Sequence, residues 1–138
     1  MLTPGGRVML DVPVPDIMIA GRIIEKVARE QGVSLNLLYH RDWISSEDSL
    51  VQLFRSVGLL SESVFVTKVY ETTEYNVDDP SASFNKFARY AGVDEIRDAR
   101  VRENIKLRFI EAVQRMAGPA KKLQEDVRFY VGIGRKPT

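Results

Sequence analysis

The sequence contains no cysteine and a single histidine, His40. The lack of cysteine excludes disulfides and thiolate metal sites, and one histidine disfavours a histidine-based metal or acid–base site. The longest apolar runs span only a few residues, far short of the roughly 20 that a membrane helix needs. The first 15 residues have one arginine and several proline and aspartate interruptions, which is not typical of a secretory signal. We therefore expect no cofactor, no metal ion and no membrane-spanning segment.

The 138 residues are 44% hydrophobic and 28% charged, which is typical of one folded domain. The net charge is only +1, but residues 84–138 carry 13 basic against 7 acidic side chains. A basic segment in a nearly neutral chain favours a polyanionic partner; the alternative is a solvated helix face with ion pairs. Arginine outnumbers lysine, and asparagine and glutamine are scarce, a composition compatible with a thermophile.

Helical spacing dominates the middle of the chain. Asp16 is expected to open a helix that ends at Gly32, and Ser34 to cap a short second helix. Ser45 and Asp48 favour a third helix from Glu47 to about Leu60. A further helix is expected after Pro80 and should end at Gly92. Another is expected over residues 94–117, with Asp98→Arg102 and Glu111→Arg115 pairs, and a last one over residues 120–131.

Residues 63–77 fit two structures. Their valine, threonine, tyrosine and phenylalanine content favours a strand, whereas the pairs Phe65/Val69 and Val66/Tyr70 have helical spacing. Because a lone strand has no obvious partner, we favour a helix. The predicted fold is all-α, a bundle of five to seven helices with a helix-turn-helix-like hairpin. Its parts are an extended N-terminal arm (1–15), a single α-helical domain (16–132) and a C-terminal tail (133–138).

Residues 32–54 carry a motif. The segment GVSLNLLYHRDWISSEDSLVQLF resembles the second half of the DNA-binding domain of TetR-type regulators. The matching positions are Gly32, Val33, Ser34, Leu38, Tyr39, His40, Trp43, Ser46, Glu47 and Leu50. The resemblance implies that Tyr39 and His40 contact DNA phosphates. Leu35 and Leu37 depart from the pattern, and the segment that follows is short for the family's ligand-binding domain.

The overall plan has a second resemblance. A small, cysteine-free chain with an N-terminal arm, a helical hairpin and arginine-rich helices looks like the coat (capsid) proteins of filamentous double-stranded DNA viruses of hyperthermophilic archaea. That resemblance implies a virion protein whose subunits, identical or related, pair in a helical filament and hold duplex DNA by backbone contacts.

Phosphate contact is the chemistry that the basic residues suit best. The tail GIGRKPT lacks the spacing of a phosphate-binding loop, and no nucleophile–base arrangement is present, so we predict no enzyme. The residues predicted to bind DNA are Arg22, Lys26, Arg29, Ser34, Asn36, Tyr39, His40, Arg41, Arg97, Arg100, Arg102, Lys106 and Arg108.

Three functions remain open. The favoured one is a structural, non-enzymatic coat protein that packages double-stranded DNA in a filament. The alternative is a small dimeric helix-turn-helix transcriptional regulator, which would be cytoplasmic. The third is an interaction module without nucleic acid, whose hairpin only packs.

Overall fold

A computed structural model describes residues 1–35 and 42–138 of the chain. In chain order the elements are β1 (Arg7–Pro13), α1 (Ile19–Glu30), α2 (Glu47–Ser56), β2 (Leu60–Val66), β3 (Glu71–Tyr75), α3 (Ser81–Ala91), α4 (Ala99–Ala117), β4 (Leu123–Val127) and β5 (Phe129–Arg135), with a 3₁₀ turn at Val93–Glu95. They form a three-stranded antiparallel sheet of order β1-β5-β2 and a two-stranded sheet of β3 and β4. The chain divides into two compact units.

Unit 1 combines residues 1–17, 41–72 and 126–138. Strand β5 lies between β1 and β2, with Leu10 opposite Gly132 and Val64 opposite the same glycine. Helix α2 packs on this sheet through Leu50 and Phe54, both fully buried. The ring of Phe54 lies against strand β5 at a glycine. A Cβ at Gly132 would lie only 2.7 Å from Phe54 Cε2, so a larger residue there would overlap the ring.

The sheet of unit 1 is also tied together by charge. Arg7 Nε of β1 lies 2.6 Å from Glu62 Oε2 of β2, and Arg135 Nε of β5 lies 2.9 Å from Glu62 Oε1. Hydrogen bonding to Arg7 lowers the pKa of Glu62. The ladder of β1 and β5 continues outward, since Gly5 N–H donates to the Lys136 carbonyl and Lys136 N–H to the Gly6 carbonyl.

Unit 2 combines residues 18–40 and 73–125. Helices α1, α3 and α4 pack against one another around a core in which the Phe84 and Phe109 rings lie 5.4 Å apart. The apolar residues of α1 recur every three or four positions, so one face is buried. The buried members of that face are Ile19, Ala20, Ile23, Ile24, Val27 and Ala28.

The predicted helix ends at glycine are confirmed. Gly32 follows α1 and Gly92 follows α3, each with φ of 77°, a conformation that glycine adopts without steric cost. The predicted start of α1 at Asp16 is wrong, since the helix begins at Ile19 after Met18. Helix α2 is confirmed at Glu47 but ends at Ser56, because Gly58 turns the chain into β2.

The prediction of an all-α helical bundle is wrong, because the fold is mixed α/β with two antiparallel sheets. Residues 63–77, for which we favoured a helix, contain the end of β2 and all of β3. The helix expected at residues 120–131 is replaced by β4 and the start of β5. The arm contains β1, and β5 extends from the predicted helical domain into the predicted tail. The partner of each of these strands is distant in sequence or belongs to a segment for which we predicted a helix.

Candidate functional site

A recess of unit 2 runs between α1 and α4, and we call it the α1–α4 groove. It has a volume of about 380 Å³. Its lining residues recur every three or four positions on each helix, so each helix contributes one continuous stripe. The lining comprises Ile19, Arg22, Ile23, Lys26, Val27 and Glu30 of α1 and Arg108, Glu111, Ala112, Arg115 and Met116 of α4.

The groove combines basic side chains with an apolar floor. Four basic residues line it against two acidic ones, and all six are solvent-exposed. Ile23 and Val27 are buried, Ala112 is half-buried, and Met116 is 53% exposed. Such a groove suits a ligand that is an anion with an apolar part. The basic edge can bind the negative charge, and the aliphatic floor can contact the apolar part.

Three of the basic side chains have no ion-pair partner among residues 1–35 and 42–138, namely Lys26, Arg108 and Arg115. The predicted pair Glu111→Arg115 does not form an ion pair in the structure. A cation that is not neutralised by a neighbouring carboxylate keeps its full attraction for an incoming anion.

The structure brings three of the predicted DNA-binding residues together in this groove: Arg22, Lys26 and Arg108. Arg29 lies on α1 outside the groove and pairs with Glu25, with Nη2 and Oε1 3.1 Å apart. Ser34 lies after α1 beside Arg89 and Tyr90, in a separate recess of about 470 Å³.

The other predicted residues do not join the groove. Arg97 precedes α4, and Arg100 and Lys106 lie on α4 away from the groove lining. Arg102 donates from its guanidinium to the main-chain carbonyls of Ile96 and Arg97, which is a structural role at the start of α4. The predicted contacts at Asn36, Tyr39, His40 and Arg41 lie outside the described residues.

Sequence reasoning missed Arg115 as a binding residue. The signal was present, because Arg108 and Arg115 are seven positions apart and therefore share one face of a helix. What the sequence did not contain was the partner of that face. Only the packing of α1 against α4 places Arg22 and Lys26 across from these two arginines.

The buried polar cluster of unit 2 meets the groove lining only at Ile19, through the main-chain N–H of that residue. Tyr75 Oη donates to Glu125 Oε1 at 2.7 Å, and Glu125 Oε2 accepts from the main-chain N–H of Ile19 at 3.0 Å. Burial and the Glu125 hydrogen bond raise the pKa of Tyr75. All of these groups serve the start of α1, so we assign the cluster to stability.

Within residues 1–35 and 42–138, no three acidic or histidine side chains come close enough to hold a metal ion. In the same part of the chain, no helix is both long enough and apolar enough to cross a membrane. Comparison with known proteins finds neither a family model nor a curated protein that matches this chain.

Proposed function

We propose that the protein binds nucleic acid without catalysing a reaction, through sequence-independent contacts between phosphates and the basic side chains of the α1–α4 groove. The observation that carries this proposal is the arrangement of Arg22 and Lys26 opposite Arg108 and Arg115. Lysine and arginine that neutralise phosphates release bound counterions, which drives binding without reading bases.

The net charge of +1 makes the local arrangement decisive. A chain that is nearly neutral has little long-range attraction for a polyanion. Its affinity must come from a few well-placed cations, and the groove provides cations that no described carboxylate neutralises. The acidic residues Glu30 and Glu111 also line the groove and limit where a phosphate can sit.

Duplex DNA, filament assembly and a virion location stay predictions from sequence. The alternative of a regulator depends on residues 34–41, most of which lie outside the described part of the chain. Self-association is also a prediction from sequence, and the DNA titration does not depend on it.

The test is a titration of labelled duplex DNA of random sequence at several salt concentrations. In the variant Arg108→Gln/Arg115→Gln we expect the affinity to fall about tenfold or more, because two phosphate contacts are lost. The slope of log affinity against log salt should become shallower by about 0.9 for each lost contact. The matched control is Arg97→Gln/Arg100→Gln, which removes the same charge outside the groove and should change the affinity less than about twofold.

Equal losses in both double variants would contradict the proposal, since charge alone and not position would then decide binding. Absence of any salt-dependent binding of the unaltered protein to either duplex or single-stranded nucleic acid would also contradict it. That result would favour the interaction module without a nucleic-acid ligand.

A further inference from the structure

We infer that the ligand of the α1–α4 groove is single-stranded nucleic acid, with phosphates at the basic edge and an unpaired base against the apolar floor. This inference rests on the proposed function and adds the class of nucleic acid. It starts from a feature that phosphate binding leaves unexplained, namely the aliphatic surface that lies between the basic residues of the two helices.

The accessible part of the floor is formed by Ala112 and Met116. Ile19, Ile23 and Val27 lie beneath it in the core and are only 5–8% exposed. Met116 is 53% exposed, so a large apolar side chain at the end of the floor lies mostly in water. Contact with an apolar ligand surface would remove this area from water and stabilise the complex.

The floor suits a flat, aromatic group. Methionine adapts its shape to irregular ligands, and its sulfur makes favourable contacts with aromatic rings. A nucleobase has two flat aromatic faces. In a duplex both faces are covered by stacking, so only an unpaired base can present one of them to a protein.

Size points the same way. The groove has about 380 Å³, at the lower end of the range for small-ligand sites. It can hold one nucleotide but not a duplex, whose phosphates would contact the edge and leave the floor facing water. The carboxylates of Glu30 and Glu111 repel phosphate, so the backbone is confined to the basic residues.

Charge complementarity selects this ligand over a neutral apolar molecule. Arg22 and Lys26 are one helical turn apart on α1, while Arg108 and Arg115 are two turns apart on α4. A strand that places one base on the floor therefore meets cations before and after that base. A neutral ligand would leave Lys26, Arg108 and Arg115 without a counter-charge.

The experiment measures fluorescence anisotropy with three labelled probes of equal length and end label. They are a single strand of mixed sequence, the same strand with abasic sites at its centre, and the corresponding duplex. We expect the full single strand to bind about tenfold tighter than the other two, in the range that base stacking contributes.

The variant Ala112→Phe fills the floor without changing charge and should reduce single-strand binding to the level of the abasic strand. The matched control is Leu107→Phe, which places the same side chain on the same helix at a 49% exposed position outside the groove lining. It should leave all three affinities unchanged. If circular dichroism shows that Ala112→Phe is misfolded, Met116→Gln, which also leaves the charge unchanged, is used in its place at the exposed end of the floor.

The outcomes separate the two proposals. Equal affinity for all three probes, unaffected by the floor variant, would overturn the single-strand inference and leave phosphate binding intact. Tighter binding of the duplex would also overturn it. Absence of binding to every probe would overturn the proposed function itself.

Discussion

At the scale of single residues, the start of α1 shows how a distant side chain replaces a local cap. Met18 precedes the helix in a left-handed conformation and makes no side-chain cap. The first two main-chain N–H groups of the helix find distant acceptors instead. The N–H of Ile19 donates to Glu125 Oε2, and the N–H of Ala20 donates to Tyr75 Oη at 3.4 Å. A carboxylate beside a helix N-terminus also opposes the partial positive charge of the helix dipole.

Removal of the Tyr75 hydroxyl should therefore be costly. Tyr75 is 6% and Glu125 9% exposed, so in Tyr75→Phe the carboxylate and the Ala20 N–H each lose a partner that water cannot readily replace. We expect the free energy of unfolding in urea to fall by about 1–3 kcal/mol. The matched control is Thr72→Val, which removes an exposed hydrogen bond of the same 2.7 Å length to Asp126 and should cost at most about 0.5 kcal/mol.

The same cluster predicts a dependence on alkaline pH. The pKa of Tyr75 is raised in the folded protein, first by burial and then by Glu125, whereas in the unfolded chain it returns to its ordinary value of 10.0. Deprotonation above that pH therefore favours the unfolded state, and the stability from this group is lost as the pH rises. The stability advantage of the unaltered protein over Tyr75→Phe should thus shrink above pH 10.0. An advantage that stays constant or grows would contradict this account.

At the scale of elements, helices were predictable and strands were not, for a physical reason. A helix is stabilised within its own segment, so the spacing around Ile23 or Phe109 and the glycine at position 92 identify it locally. A strand acquires its hydrogen bonds from elsewhere: β1 pairs with β5, more than 110 positions away. Short apolar runs such as residues 64–66 fit both periods, and only the unseen partner decides between them.

Packing of α2 on β5 gives the element-scale prediction. Gly134 and Gly132 leave room for the buried ring of Phe54, and an added Cβ at Gly134 would lie 2.8 Å from Phe54 Cδ1. We expect Gly134→Ala to lower the free energy of unfolding by about 1–3 kcal/mol, since the ring must move within a packed core.

A double-mutant cycle isolates this contact. Phe54→Leu alone should destabilise the protein, but in the Gly134→Ala background it should cost less, because the smaller side chain relieves the overlap. Strictly additive effects of the two substitutions would show that the glycine is not required by the ring.

At the scale of the whole molecule, neither unit has a large excess of basic residues, so the positions of the charges matter more than their number. Unit 1 contains seven basic and eight acidic residues, and unit 2 contains thirteen basic and eleven acidic residues. The sequence located the basic bias in its last third, but it could not show which cations share a surface. Arg97 and Arg100 are as basic as Arg108, and only the packing of helices distinguishes them.

The path of the chain links the two units. Along the described residues, the chain passes from one unit to the other after residue 17, between residues 35 and 42, and after residues 72 and 125. The strands β3 and β4 each contribute residues to both units. Unfolding of either unit would therefore disrupt the strands that it shares with the other unit. It would also turn the segments that connect parts of the remaining unit into long flexible loops, and closing such loops costs conformational entropy. We expect one cooperative transition for the whole chain.

Two probes can test this cooperativity. Trp43 is the only tryptophan and belongs to unit 1, whereas α1, α3 and α4 of unit 2 form most of the described helix and dominate far-ultraviolet circular dichroism. In urea, the fluorescence and dichroism midpoints should coincide, and Gly134→Ala in unit 1 should shift both midpoints by the same amount. A shift confined to fluorescence would contradict this expectation, since it would mean that the helices of unit 2 stay folded after the sheet of unit 1 is lost.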